Sequence, residues 1–179
     1  MKAAWVVVLF LATGISTGST AQGGASPAQS VASIARRVRW EGLAIIVDRN
    51  NPTSNVTLRQ LREILFADRQ WWSCNRRITL ATMPRGSVER QTISRTIYKM
   101  DDVSLDRYFF FEVYRGLLPT SPTILDTPAD VKRFVSGTPG AVGYMRASDV
   151  DDSVKVLRID GLLPGDDGYP LRLRTRVPK

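Results

Sequence analysis

Leu43-Ala-Ile-Ile-Val-Asp-Arg-Asn-Asn-Pro52, followed closely by Thr57-Leu-Arg-Gln-Leu-Arg-Glu-Ile-Leu-Phe66, decides the class of fold. Residues 43–47 form an unbroken apolar run rich in β-branched side chains. Such a run predicts a strand covered on both faces, of the parallel kind. Asp48 to Pro52 breaks it with turn chemistry. In the second stretch Thr57 can cap a helix, and Gln60 stands three residues later as a capping box requires. Leu58, Leu61 and Leu65 follow the helical period and Ile64 widens the stripe. Strand, turn and helix thus follow one another within about 25 residues.

The same alternation continues downstream. Residues 67–77 read as a loop carrying Trp71 and Trp72, and residues 78–83 as a strand. Pro84-Arg-Gly86 ends that strand, and a helix starts at Ser87 with Ile93, Ile97 and Met100 on its buried side. Residues 105–114 carry four consecutive aromatics that a strand could also hold, but Ser104, Asp106, Arg107 and Glu112 favour a deeply packed helix, with Phe109, Phe110 and Phe111 in the core. Thr127-Pro-Ala-Asp130 is a helix start, with a Thr cap and Pro at the first position. Val131, Phe134 and Val135 are its apolar face. Residues 141–145 and 154–159 read as strands, and residues 161–179 as a basic tail carrying Arg172, Arg174, Arg176 and Lys179. The order predicts an α/β protein. Neither a GxGxxG nor a GxxxxGK[ST] phosphate loop occurs.

The N-terminus reads as an export signal: Lys2, an apolar run from Ala3 to Ala12, then Ser19-Thr-Ala21 as a small-x-small cleavage site. The apolar run is too short to span a bilayer. The expected division is residues 1–21 signal, 22–40 a leader with a short helix, 41–160 the folded domain and 161–179 the tail. The expected location after cleavage is periplasmic or secreted.

Composition narrows the chemistry. The 179 residues include no histidine, which excludes imidazole-dependent triads and HExxH zinc sites. The single cysteine, Cys74, beside Trp71 and Trp72, is expected to be a buried thiol. Lys and Arg number 25 against 17 Asp and Glu, for a formal +8. Cleavage after residue 21 removes one lysine and no acid, leaving +7. An exported basic protein suits anionic solutes, envelope polymers or membrane surfaces rather than nucleic acid. The Asp pairs at 101–102, 151–152 and 166–167 fall in turns and lack calcium-loop spacing. No metal or cofactor is implied, and no activated nucleophile identifies an enzyme.

The candidate site is the junction Thr82-Met-Pro-Arg-Gly-Ser-Val-Glu-Arg90. Gly86 can admit a ligand close to the backbone or adopt positive φ. Ser87 can cap the helix or present a hydroxyl. The first helical N–H groups favour an anion, and Arg85 and Arg90 add guanidinium donors. The alternative is an ordinary cap and turn with both arginines facing water. Gly140, Gly143 and Tyr144 can pack the scaffold or wall a cleft. Trp71 and Trp72 can face a partner or cap the core.

Five stretches in order carry a resemblance. They are Ala44–Pro52, Val56–Phe66 ("LTxxQLxxIF"), Ala67–Trp72, Arg85-Gly-Ser87 (at the position of an "R-x-x-G-S-G-T" loop) and Thr138-Pro-Gly-Ala-Val-Gly-Tyr144 ("TPGAIGY"). Residues 43–159 resemble the phosphate-binding-protein-like domain of the periplasmic substrate-binding proteins, of the type II binding-protein fold. The resemblance implies one lobe of that fold, a mixed or mostly parallel sheet flanked by helices. It also implies binding of phosphate or another small oxyanion for ABC transport, through Gly86, Ser87, Arg90 and Arg85, with Trp72, Gly140, Gly143 and Tyr144 at the cleft or in packing. Val88 and Glu89 replace the family's second glycine and threonine, and Arg85 lies closer to its glycine than the family's arginine does. Ala44–Pro52 resembles the family's strand that crosses into the second lobe, and residues 22–42 before it are expected to be too few for a first lobe. The expected partners are therefore an oxyanion, an ABC transporter permease or envelope protein, and a second copy covering the open half-site. The alternative function is an envelope interaction or sensor-associated protein on a scaffold that has lost solute binding.

Overall fold

The computed structural model describes residues 38–176; the export signal and almost all of the expected leader lie outside the described residues. Strand β1 (Val38–Asp48) is the spine. Leu43 to Val47 are fully buried on it, as their apolar run requires. It begins earlier than expected, so residues 38–40 of the expected leader are strand rather than helix or linker. It is also not parallel: β5 (Ala141–Arg146), β6 (Val154–Val156) and β8 (Arg172–Arg176) all pair with it antiparallel. Double burial comes from helices on both faces, which the apolar run cannot distinguish from a parallel setting.

The parallel part lies to one side. Strand β3 (Thr79–Thr82) pairs parallel with β5 and with β4 (Thr123–Ile124). The order is β4-β3-β5-β1-β6, with β8 also on β1, so the sheet is mixed. A second small sheet pairs β2 (Asn55–Val56) with β7 (Arg158–Ile159). The expected strand over 154–159 is therefore split, with the Leu157 N–H bonded to the Ile45 carbonyl at 2.9 Å between its halves. The expected tail contains β8, in which Leu173 is buried and Arg172 and Arg174 are exposed, with Leu171 buried just before it.

Helix α1 (Leu58–Leu65) carries the full capping box at Thr57 and Gln60. Helix α2 (Val88–Ile93) starts at an N-cap Ser87 and continues as a π-helix over Ser94–Tyr98. Helix α3 (Asp102–Tyr114) is capped by Asp101, and α4 (Pro128–Gly137) by Thr127. Gly143 turns its α-carbon toward α4, where an added methyl would meet Val131 at 2.9 Å and Val135 at 3.1 Å. Tyr144 points to the opposite face, as strand alternation demands. There it shares a packed region with Ile93, Tyr98, Leu105 and Phe109.

Helix α3 is not deeply packed. It buries Leu105 and Phe109 but leaves Phe110 and Phe111 exposed, contrary to the expectation that all three phenylalanines are core. Three adjacent positions on a helix span about 200° of its circumference, more than one core-facing stripe holds. Cys74 is exposed rather than buried, because the loop buries Trp72 and turns Trp71 and Cys74 outward.

Candidate functional site

Because β3 and β5 run parallel, the loop after Thr82 and the end of β5 lie at the same edge of the sheet. Arg85, Gly86, Ser87 and Arg90 come together there. Gly86 has φ +83°, the left-handed turn that glycine supplies, and the space where its side chain would be is open. Its role is the turn rather than close packing. Its N–H already donates to the Asp102 carboxylate at 2.9 Å. The Ser87 hydroxyl donates to the Pro84 carbonyl at 2.9 Å and accepts from the Arg90 N–H at 3.3 Å. The Gly86 N–H, the Ser87 hydroxyl and the Arg90 N–H are thus spent on the chain itself.

The two arginines differ in setting. Arg90 is only 2% exposed, whereas the Arg85 side chain is 61% exposed. Arg90 Nη1 donates to the Met83 carbonyl at 3.1 Å, and its Nη2 pairs with Asp106 Oδ1. Arg85 Nε pairs with the other oxygen, Asp106 Oδ2. Two guanidinium groups therefore converge on one carboxylate. Arg90 Nε lies 3.7 Å from Asp102 Oδ1, beyond hydrogen-bond range, and has no hydrogen-bond acceptor among the described residues. Glu89 does not oppose these arginines: it is buried against Arg146, whose guanidinium pKa its hydrogen bond raises.

A cavity of about 280 Å³ opens beside this cluster. Thr82, Arg85, Arg90, Asp106 and Ser121 supply its polar lining, and Phe109, Phe110, Pro122 and Ile124 its apolar walls. That volume accommodates a small oxyanion. Tyr144 stands behind the loop rather than in the cavity wall. Its hydroxyl bonds Thr82 Oγ1 at 2.7 Å and accepts from the Met83 N–H at 3.3 Å, and burial raises its pKa.

Trp72 and Gly140 lie at the other end of the parallel strands. Trp72 Nε1 donates to the Gly140 carbonyl at 2.9 Å. A side chain on Gly140 would meet the Arg77 carbonyl at 2.2 Å. These two residues and Gly143 serve packing. Thr82, the first residue of the expected junction, lies in the cavity lining, whereas Asp102, Asp106, Ser121, Phe110 and Ile124 fall outside the residues expected at the site. Asp102 and Asp106, four apart, share a helix face toward the upstream arginines. That spacing was the available signal.

The mixed sheet with helices on both faces is an α/β fold, and solved phosphate-binding proteins share it. No protein-family model matches the chain. It is 27% identical over 128 residues to the phosphate-binding protein PstS of Bacillus subtilis, covering 69% of this chain and 37% of that protein. An ABC-type phosphate transport receptor from Vibrio cholerae matches with a TM-score of 0.57 at 22% identity, over 77% of this chain and 58% of that one. A candidate phosphate ABC transporter substrate-binding protein from Clostridium perfringens, solved with bound phosphate, gives a TM-score of 0.60 at 21% identity, over 84% and 62%. PstS from Borrelia burgdorferi gives 0.57 at 14%, over 80% and 61%. The chain thus spans less than two thirds of each.

Proposed function

We propose that this chain is a non-enzymatic oxyanion-binding module of the substrate-binding type, exported after cleavage near Ala21. In this reading it takes phosphate or a related small oxyanion and works with an ABC transporter permease. One observation carries the reading: two guanidinium groups converge on a single anionic group at the wall of a cavity, and the buried one keeps a free donor. The relatives' names support phosphate as the first ligand to test. The binding chemistry is hydrogen bonding and charge pairing by Arg85 and Arg90, with the Thr82 and Ser121 side chains beside them; Gly86 and Ser87 shape the loop. No bond is made or broken.

Calorimetric titration with inorganic phosphate at low and physiological salt tests it, with Arg85→Gln beside the wild type. Loss of one charge-assisted contact lowers affinity roughly 10-fold to 100-fold. Saturable binding weakened in this way is the expected result; no heat with phosphate, sulfate or molybdate overturns it. The export reading predicts an envelope-fraction protein whose sequence begins at residue 22.

A second reading, an envelope interaction protein without solute binding, draws on the exposed aromatic face of α3. A folded protein silent toward all three oxyanions would favour it.

A further inference from the structure

We propose that Asp106 is a built-in counter-anion: it occupies the seat a solute oxyanion would take, and solute binds by displacing it. This rests on the oxyanion reading. Among the described residues lining the cavity, Asp106 is the only acid. Its two oxygens are each claimed by one arginine. Its side chain is only partly buried and projects from a regular turn of α3, so a rotamer change frees it without moving the helix. Asp102, by contrast, is tied to the Gly86 N–H and the Ser94 hydroxyl. It is part of the frame.

The fit of the carboxylate is incomplete. Two oxygens satisfy one N–H of each arginine, while Arg90 Nε remains without an acceptor. A tetrahedral oxyanion has more acceptor oxygens to offer the same two guanidinium groups. With Asp102 and Asp106 both in place, two carboxylates balance two guanidinium groups. An arriving anion then meets no net positive charge until Asp106 swings away. Asp106 therefore sets the affinity: it keeps Arg90 paired when solute is absent and competes when solute is present.

The test compares wild type, Asp106→Asn and Asp106→Ala in phosphate titrations at fixed ionic strength. Asparagine keeps the shape and removes the competing charge, so Asp106→Asn should bind phosphate about tenfold tighter or more. Phosphate should also raise the Tm of both variants more than that of wild type at the same concentration, with chloride as control. This thermal readout holds even where the variants are less stable, because phosphate refills the vacated seat. Wild-type binding that is unchanged or weakened in both variants, with no extra thermal gain, overturns the role of Asp106 and leaves the oxyanion reading standing. Absence of phosphate, sulfate and molybdate binding in all three proteins, by heat and by Tm, overturns both.

Discussion

Tyr144 and Gly140 come from the same stretch of sequence, Thr138-Pro-Gly-Ala-Val-Gly-Tyr144, yet they serve opposite ends of the sheet. Replacing Tyr144 with Phe leaves the buried Met83 N–H without its acceptor and the Thr82 hydroxyl with only a long contact to the Met83 carbonyl at 3.5 Å. Thermal or urea unfolding should show a loss of about 1–3 kcal/mol. Phosphate affinity should fall only modestly, since Tyr144 supports the loop from behind. Gly140→Ala should cost more, at least about 2 kcal/mol, because a left-handed φ of +93° and the Arg77 carbonyl both oppose a side chain. Equal stability of that variant in urea would contradict the assigned packing role. At this scale the sequence marked Arg85, Gly86, Ser87 and Arg90 because charge and turn chemistry are local. It did not mark Asp106 as their partner, because that pairing depends on how α3 folds back across the loop. Nothing within the loop encodes it.

Caps account for most of what was legible among the elements. Thr57, Ser87 and Thr127 each accept a backbone N–H from the residue three further on, and each starts the helix expected from it. Asp101 does the same for α3, and the Ser104 backbone N–H holds its carboxyl below its ordinary value of 3.8. A lowered folded-state pKa means that this contribution is present above 3.8 and is lost as pH falls through the folded value. Asp101→Asn keeps a capping oxygen without the ionisation. Its stability should therefore fall less steeply than wild type below about pH 4 in acid unfolding followed by circular dichroism. Strand β8 was legible in principle. Leu171-Arg-Leu-Arg alternates with the period of a strand, but the density of charge favoured a tail. The antiparallel setting of β1 was not legible, since an apolar run records burial and says nothing about the direction of its neighbours.

At the scale of the whole molecule, the cavity opens beside a face that a globular core does not explain. Phe110 is 64% and Tyr114 80% exposed, and their rings stack at 6.4 Å with Phe111 edge-on to Phe110. Phe110 and Ile124 also form the lip of the cavity. With about 200 Å² per aromatic side chain and somewhat less for Ile, the exposed parts of Phe110, Phe111, Tyr114 and Ile124 total on the order of 500 Å². A standard interface buries about 800 Å² per partner, a little over half of it apolar, so this face supplies the apolar share of one. The acids of helix α3 are already paired, Asp102 and Asp106 with Arg85 and Arg90 and Glu112 with Arg115, so little unpaired charge stands on this face to oppose a second copy. A second copy seated on this face would also close the cavity, linking self-association to solute affinity. Sedimentation equilibrium should show a dimer at tens of micromolar. Phe110→Ser with Tyr114→Ser should return it to monomer, with α3 still folded because Leu105 and Phe109 remain. A wild-type monomer at about 100 μM would remove the second copy and leave the half-open cavity as the working form, with phosphate affinity independent of protein concentration.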